Sequence, residues 1–399
     1  MYRYLFLVPL IVVSVVLSAC TTSPSPVLPP AKLTSFVKEL SVNDDWQRQI
    51  GEGVSDHYYL LTPLVHNNKL YTIDYKGLLS VIDTTTGDTL WDKSLQIPVS
   101  SGLSKIDNLL LLATSEGAVI ALDIKTGAEL WQATVTSEVF AKPVKAGNYV
   151  IVKSVDGKIV ALDLKTGKEK WVYDRAVPAL TLRGNSTPVV YENTIISGLD
   201  NGKLVGLSVE TGQVIWNLTV AVSSGRTEIE RMIDIDADPL IFGENLYVVA
   251  YQGRIANIHI PSGRLEWTRD FSAYNGIEAD EQRLYISDSE GYVWALDRKT
   301  GATIWKQDKL IRRSLTKPVL YKNSIMVADF NGFVHWLDSE NGHLKSRYRQ
   351  GSDDSYVENE YDFIFTKSNG ILTPPLVFKD KVFIFDRHGN TSSLVIRAN

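Results

Sequence analysis

The sequence predicts an all-β fold, an eight-bladed β-propeller of four-stranded antiparallel blades. The first observation is a recurring glycine that is followed, in each of seven copies, by a second glycine ten residues later. The second is a tryptophan four residues after the second glycine in six of the copies, and the third is a proline, or Leu103 or Ile277 in its place, fourteen residues before the first glycine. The first glycines are Gly77, Gly117, Gly157, Gly202, Gly253, Gly291 and Gly332, and the tryptophans are Trp91, Trp131, Trp171, Trp216, Trp267 and Trp305, with Ser346 in the seventh place.

Each unit is predicted to form four strands joined by tight turns. In the fourth unit, Pro188–Tyr191 and the apolar run after Asn193 are predicted to form a hairpin, and the turn at Gly202 leads into a third strand. A Thr-Gly turn follows, with the preceding Asp placed to accept backbone N–H bonds, and the tryptophan lies on the fourth strand. Four antiparallel strands in about 40 residues are typical of a propeller blade.

The ring is predicted to close through an N-terminal strand. An eighth unit, Pro375 to Gly389, keeps the fourteen-residue spacing but supplies only three strands before Asn399. The segment Asp44–Gln49 carries Trp46 where a fourth strand needs it. Pairing this segment with the last strand removes an open sheet edge. We expect the tryptophans to fill the gaps between neighbouring blades, and residues 41–399 to form one propeller domain.

The N-terminus has the features of an export signal. Residues 1–19 contain Arg3 and an apolar run, Leu5–Val16, that is too short to span a membrane comfortably. The end of this segment, Leu17–Cys20, resembles the lipobox of bacterial lipoproteins, which implies cleavage before Cys20 and acylation of this cysteine; the alternative is a plain signal peptide with an incidental cysteine. Residues 20–40 are then predicted to be the acylated cysteine and a flexible, Pro-rich tether.

Composition excludes several functional classes. The formal net charge is −5 and becomes −6 when Arg3 is removed with the signal, which argues against a nucleic-acid or anionic-membrane face. We predict no catalytic residues, no cofactor and no metal site, because no phosphate-binding glycine loop or nucleophile elbow is present and the histidines are scattered over different repeats. The histidines are His57, His66, His259, His335, His343 and His388.

Variable connections mark the face where binding is expected. In every complete unit the tryptophan position lies 28 residues after the proline position, whereas the connection to the next unit varies in length. These connections run from the outer strand of one blade to the inner strand of the next, so they share one face of the ring. The longest join Trp171 to Pro188, Trp216 to Pro239 and Ser346 to Pro375. Loops held by a rigid scaffold commonly carry binding.

The repeat Ala-Leu-Asp-Xaa-Xaa-Thr-Gly-Xaa-Xaa-Xaa-Trp resembles that of quinoprotein-type propellers, and nearly the whole chain resembles the BamB family of outer-membrane protein assembly factors. Two more specific segments, Leu180–Pro188 and Glu230–Pro239, lie in the long connections. The resemblance implies a non-catalytic scaffold lipoprotein on the periplasmic face of the outer membrane that docks to the POTRA domains of BamA. Thr21, rather than Asp, after the cysteine is similar to lipoproteins exported to that membrane. The implied docking residues are Leu180, Leu182, Arg183, Asp234 and Asp236.

Three alternatives stay open at this point. Leu180 and Leu182 could cap the end of a blade, with Arg183 paired to a loop carboxylate as an internal staple. The chain could bind unfolded outer-membrane proteins by strand pairing along exposed blade edges. A quinoprotein dehydrogenase is the enzymatic alternative, but that family holds pyrroloquinoline quinone and calcium, commonly beneath a vicinal disulfide, and this chain has one cysteine.

Overall fold

The computed structural model describes residues 28–178, 181, 186–223, 226–351 and 370–399. Within these ranges the chain forms eight sheets of four antiparallel strands each, which confirms the predicted propeller. The helical structure among the described residues is one 3₁₀ turn, Ile260–Ser262, in blade five.

In blades one to seven the strands follow one another in sequence from the inner to the outer edge, and in blade eight the N-terminal strand is the outer one. Blade one contains β2 (Leu64–His66), β3 (Lys69–Ile73), β4 (Leu78–Asp83) and β5 (Thr89–Ser94); blade two β6 (Ser104–Ile106), β7 (Leu109–Ala113), β8 (Ala118–Asp123) and β9 (Glu129–Thr134); blade three β10 (Val144–Ala146), β11 (Tyr149–Lys153), β12 (Ile159–Asp163) and β13 (Glu169–Tyr173); blade four β14 (Val189–Tyr191), β15 (Thr194–Gly198), β16 (Lys203–Ser208) and β17 (Val214–Thr219). Blade five contains β18 (Leu240–Phe242), β19 (Asn245–Val249), β20 (Gly253–His259) and β21 (Arg264–Phe271); blade six β22 (Ile277–Ala279), β23 (Arg283–Ser287), β24 (Val293–Asp297) and β25 (Thr303–Gln307); blade seven β26 (Val319–Tyr321), β27 (Ser324–Ala328), β28 (Phe333–Asp338) and β29 (Leu344–Arg349); blade eight β30 (Leu376–Phe378), β31 (Lys381–Phe385), β32 (Asn390–Ala398) and β1 (Leu40–Gln49).

The recurring Asp organises the turn between the third and fourth strands, as the sequence predicts. In blade two the Asp123 carboxylate accepts the N–H groups of Thr126 at 2.9 Å and Lys125 at 3.0 Å. The bonds from the backbone and hydroxyl of Thr126 hold the pKa of Asp123 below its usual value. The local side-chain bonds therefore fix the turn before any contact with another blade is made.

The tryptophans lie between blades, and this contact explains the second glycine of the repeat. The Trp131 indole N–H donates to the Leu164 carbonyl of blade three at 3.1 Å. Its ring lies so close to Gly167 that a β-carbon at that position would overlap it. Trp46, Trp171, Trp267 and Trp305 meet the corresponding glycine of the next blade in the same way, and Trp91 comes within 3.1 Å of a β-carbon at Gly127. At these positions the glycine is needed both for its positive φ and for the packing between blades, whereas at Gly263 only the positive φ requires it.

The N-terminal strand closes the ring as predicted. β1 pairs with β32 in antiparallel register from Leu40 opposite Ala398 to Gln49 opposite Asn390. Trp46 is buried, packs against Phe383 and donates its indole N–H to the Thr84 carbonyl of blade one at 3.3 Å. Blade eight thus gains both its outer strand and its contact with the first blade.

Blade seven, where Ser346 interrupts the tryptophan series, carries its large side chain on the neighbouring strand. Trp336 on β28 lies directly opposite Ser346 on β29 and is fully buried. In blades two, three and six an alanine is opposite the tryptophan, as with Ala121 and Trp131. The large and small residues have therefore exchanged strands, which conserves volume in the blade.

The chain before β1 is bound to the ring. Residues 29–39, which we call the strap, run along blades six and seven from the connection between them to the last turn of blade seven. Leu33 and Phe36 pack against the apolar core shared by these two blades. The predicted tether covered residues 20–40, and the structure shows that from Pro29 onward this stretch makes specific contacts.

Candidate functional site

The connections between blades and the turns between second and third strands lie on one face, which we call the loop face. For example, Ser115 in such a turn of blade two donates its N–H to Pro98 in the connection from blade one at 3.0 Å. The opposite face carries the Asp-containing turns, where Ile124 donates to Asn108 at 2.9 Å. The predicted placement of the variable connections on a single face is consistent with these contacts.

A cavity of about 920 Å³ lies on the loop face, at the mouth of the central channel. Its wall combines aromatic side chains from several connections with a few charged groups. The aromatic residues are Tyr58, Tyr59, Phe140, Tyr274 and Phe330, and the carboxylates are Asp236 and Asp238. An apolar cavity with few convergent polar groups has the general character of a binding site.

The structure places two of the predicted docking residues, and it places them differently. Asp234 is only 1% exposed, whereas Asp236 is partly exposed and lines the cavity. Leu180, Leu182 and Arg183 lie outside the described residues, as does Cys20. The two carboxylates therefore have separate parts in the loop: Asp234 belongs to its interior and Asp236 to its surface.

Two long connections, 174–188 and 220–239, are joined directly. The backbone N–H of Thr187, just after the segment with Leu180, Leu182 and Arg183, donates to the Asp238 carboxylate at 2.6 Å. Asp238 follows the segment that contains Asp234 and Asp236. A hydrogen bond to a charged acceptor is among the stronger ones in proteins, so the end of the first connection is held against the end of the second.

A buried lysine supports the base of the first connection. Lys153 of β11 donates to the Ser186 hydroxyl at 3.1 Å and to the Gly198 carbonyl at 2.9 Å. Burial lowers its pKa, while the neighbouring carboxylates of Asp200, Asp236 and Asp238 act in the opposite direction. Spacing in the sequence gives no signal for this residue, because its position in other repeats is filled by apolar or small side chains.

An ion pair fixes the start of the same connection. The Arg175 guanidinium lies 2.7 Å from the Asp200 carboxylate, and the two side chains are 10% and 4% exposed. Asp200 lies in a turn of blade four, so this pair joins the connection to the blade that follows it. Breaking a buried ion pair is costly, because removal of one partner leaves the other charge buried and unpaired.

The second connection is held by alternating apolar side chains. Ile233 and Ile235 are buried in the core of blades four and five, and Ile235 lies against Gly198. The Asp234 carbonyl accepts the N–H of Tyr251 at 2.8 Å. Asp234 lies between these two isoleucines and is buried with them, whereas Asp236, beyond Ile235, is partly exposed at the cavity wall.

The outer part of this connection exposes apolar side chains that sequence reasoning did not single out. Val222 is 77% exposed and Ile229 is 67% exposed. Glu230 accepts the N–H groups of Arg226 at 2.6 Å and Thr227 at 3.1 Å, which gives the segment a defined turn. Exposed apolar residues on an ordered loop are suited to contact with another protein.

The described residues contain neither a candidate metal centre nor a membrane-spanning helix. Among them no group of three or more His, Cys, Asp or Glu side chains is arranged to hold a metal ion. No helix in the same part of the chain has the length and hydropathy needed to cross a membrane.

Comparison with known proteins identifies the family. Residues 61–307 match the family model described as outer membrane protein assembly factor BamB. The BamB protein of Pseudomonas aeruginosa is 42% identical over 388 residues, which cover 97% of this chain and 98% of that protein.

Solved structures share the fold. The crystal structure of BamB from Moraxella catarrhalis aligns with a TM-score of 0.77 and 24% identity over 89% of this chain and all of that one. A quinohemoprotein alcohol dehydrogenase from Comamonas testosteroni aligns with a TM-score of 0.69 and 12% identity over 90% of this chain and 76% of that one, a likeness of fold alone. From the family model and the full-length relative together, this chain belongs to the BamB family of outer-membrane protein assembly factors.

Proposed function

We propose that this protein is a non-catalytic scaffold lipoprotein of the β-barrel assembly machinery, and that it docks to periplasmic POTRA domains of BamA through its loop face. Its role is to assist the folding and insertion of outer-membrane β-barrel proteins. The observation that carries this proposal is the bond between Thr187 and Asp238, which joins the end of one long connection to the end of the other.

Four of the five docking residues contact the partner directly, and the fifth stabilises the connection in which it lies. Leu180, Leu182 and Arg183 supply two apolar anchors and a cation, and Asp236 adds a carboxylate at the cavity wall. An apolar centre with orienting charges is the usual composition of a protein interface. Asp234, which is buried, acts by holding its connection in place.

The anchor is the second part of the proposal. Cys20 is acylated after removal of residues 1–19 and holds the protein on the periplasmic face of the outer membrane. Acylation at more than one position gives stable anchorage where a single chain is marginal. The protein then reaches its partner within the plane of the membrane rather than by free diffusion.

The experiment that tests docking is a binding titration of purified POTRA domains against the complete soluble propeller and against its Arg183→Glu variant. Saturable binding that the substitution abolishes supports the proposal. Binding of equal affinity by both proteins would place the docking surface elsewhere, and the connection from Ser346 to Pro375 would be tested next.

A second candidate function has its own observation. The residue just before the tryptophan is an exposed aliphatic side chain on four of the outer strands: Leu90, Leu130, Ile215 and Ile304. An outer strand with apolar side chains and open backbone groups is suited to pair with an unfolded outer-membrane protein. This function predicts that Leu130→Lys and Ile215→Lys weaken binding of an extended, alternating peptide while POTRA binding is retained.

A further inference from the structure

The first half of the strap is bound through its main chain. Ala31 donates its N–H to the Ile311 carbonyl at 2.9 Å. Arg312 Nε donates to the Pro29 carbonyl at 2.6 Å, and Arg313 Nη1 to the Ala31 carbonyl at 3.0 Å. Three consecutive residues of the connection between blades six and seven therefore hold Pro29 and Ala31 of the strap, and this part of the strap forms one wall of the central cavity.

The second half of the strap is bound through side chains as well. Arg347 Nη1 donates to the Thr34 carbonyl at 3.3 Å, and its guanidinium lies 5.1 Å from the centre of the Phe36 ring. Glu39 donates its N–H to the Lys345 carbonyl of β29 at 2.9 Å. With Leu33 and Phe36 packed against the core of blades six and seven, the strap crosses from the loop face to the opposite face.

Two of the arginines that bind the strap, Arg313 and Arg347, are also held by side chains of the ring. Arg313 Nε donates to the buried Asp329 carboxylate at 2.6 Å, and His335 links the same carboxylate to Arg347 at 3.1 and 3.3 Å. Side chains already fixed by the fold lose little conformational entropy when they bind the strap. This favours a strap that stays in place.

The strap shortens the free chain between the ring and the anchor. Pro29 is nine residue steps after Cys20, and nine steps of extended chain reach at most about 30 Å. Without the strap the first fixed residue is Leu40, twenty steps away, and the reach is about 70 Å. The strap also decides where the chain leaves the ring, which is at the cavity mouth on the loop face.

We propose that the strap holds the loop face of the propeller toward the lipid surface, within about 30 Å of the anchor. This inference rests on the proposed acylation of Cys20. It identifies the loop face as the side of the ring nearest the membrane, and the Asp-containing turns as the side facing away.

Two label positions at opposite ends of β8 test the orientation. Glu116→Cys places a thiol in an exposed turn of the loop face, and Lys125→Cys places one in an exposed turn of the opposite face. The strand between them, six residues long, separates the two positions by about 20 Å. Because the chain has a single native cysteine and acylation blocks it, each variant carries one reactive thiol.

The measurement is energy transfer from a dye on that thiol to acceptor lipids, with the full-length lipoprotein in phosphatidylcholine vesicles. We expect a shorter distance to the bilayer for the Glu116→Cys label than for the Lys125→Cys label, by up to about 20 Å. Leu33→Ser with Phe36→Ser removes the apolar contacts of the strap and should abolish the difference.

Each outcome has a distinct meaning. Equal distances in the parent protein overturn the orientation, and a difference that survives the double substitution overturns the role of the strap. If the protein does not float with the vesicles at all, both the anchor at Cys20 and the orientation are overturned. POTRA binding is tested separately, by the titration described above. Hydrogen exchange at Ala31 and Glu39, whose N–H groups are bonded to the ring, reports release of the strap independently.

Discussion

His335 and Asp329 are joined across 3.1 Å in blade seven, and neither side chain has any exposed surface. Arg347 Nε lies 3.3 Å from the other ring nitrogen, Nδ1. Since arginine can only donate, Nδ1 must accept, which places the imidazole proton on Nε2, facing the carboxylate. The arrangement therefore fits a neutral histidine, and a second proton would displace the bond from Arg347.

The pH dependence of stability follows from this pair. Burial lowers the pKa of His335 despite the bond to Asp329, so below pH 6.5 the unfolded chain binds a proton that the folded chain does not. We expect the free energy of unfolding to fall as the pH drops from 6.5 toward 5, by at most about 1.4 kcal/mol per pH unit from this residue. His335→Gln should flatten the slope in urea titrations at several pH values, whereas His57→Gln should keep it; identical slopes in all three proteins would contradict the assignment.

The Asp329 carboxylate contributes to the pH dependence of stability at lower pH. Burial raises the pKa of Asp329, but the bond from His335 and the charge of Arg313 outweigh this and hold it below its usual value. A lowered carboxylate pKa contributes stability that is present above about pH 4 and is lost as the pH falls through the folded value. The contributions of His335 and Asp329 should therefore appear as two separate phases of acid destabilisation.

Charge reversal at Arg183 tests the docking surface. We expect Arg183→Glu to abolish POTRA binding with little change in Tm, because the substitution changes a connection and not the packing of a blade. Leu182→Ala should weaken binding by about 1 to 3 kcal/mol if Leu182 is an anchor.

The matched control lies on the opposite face. Lys322→Glu reverses a charge in the first turn of blade seven, where Lys322 is 3.4 Å from Asp380 in an exposed ion pair. Such a pair contributes at most about 1 kcal/mol, so this variant should fold and bind normally. A loss of stability by Arg183→Glu as large as its loss of binding would instead support an internal staple.

Asp234 and Asp236 are expected to respond differently to substitution. Asp234→Ala should lower the free energy of unfolding by about 1 to 3 kcal/mol, because it disturbs a buried polar group and its surroundings. Asp236→Ala, at the cavity wall, should change binding more than stability. Thermal melts and POTRA titrations of both variants separate the two effects; equal behaviour would show that burial does not distinguish their roles.

Closure of the ring depends on Trp46. Trp46→Ala should cost about 3 to 5 kcal/mol, because it empties the space between Phe383 and blade one. Deletion of residues 41–49 should cost more, since β32 also loses its strand partner. Asn43→Ala, at an exposed position of the same strand, is the control and should melt like the parent; a deletion that melts like the parent would mean that the ring closes without β1.

The anchor is tested by Cys20→Ser. We expect this variant to appear as a folded propeller in the soluble periplasmic fraction of cells that lack BamA, because no other lipid attachment site is predicted in the chain. Fractionation and circular dichroism report location and fold. Retention in the membrane fraction under these conditions would contradict anchoring through Cys20.

The sequence by itself determined the strands, the blade number and the closure of the ring. This was possible because each depends on short-range chemistry at fixed offsets: Asp123 forms its turn with residues two and three positions away, and Trp131 requires Gly167 in the next repeat. In a repeat protein the same local pattern of residues occurs many times, so its spacing can be recognised within a single chain.

Only the tertiary structure decided the features that depend on neighbours distant in sequence. The exchange between Trp336 and Ser346 becomes visible only when their strands are paired, because volume is conserved across a sheet and not along the chain. Asp234 and Asp236 are the same residue type two positions apart, yet the folded connection buries one and leaves the other at the cavity. The binding of the strap to the ring is a further example. Its Pro-rich composition indicates an extended chain, but the arginines that hold it lie about 280 to 310 residues further along the sequence, so no local pattern reveals these contacts.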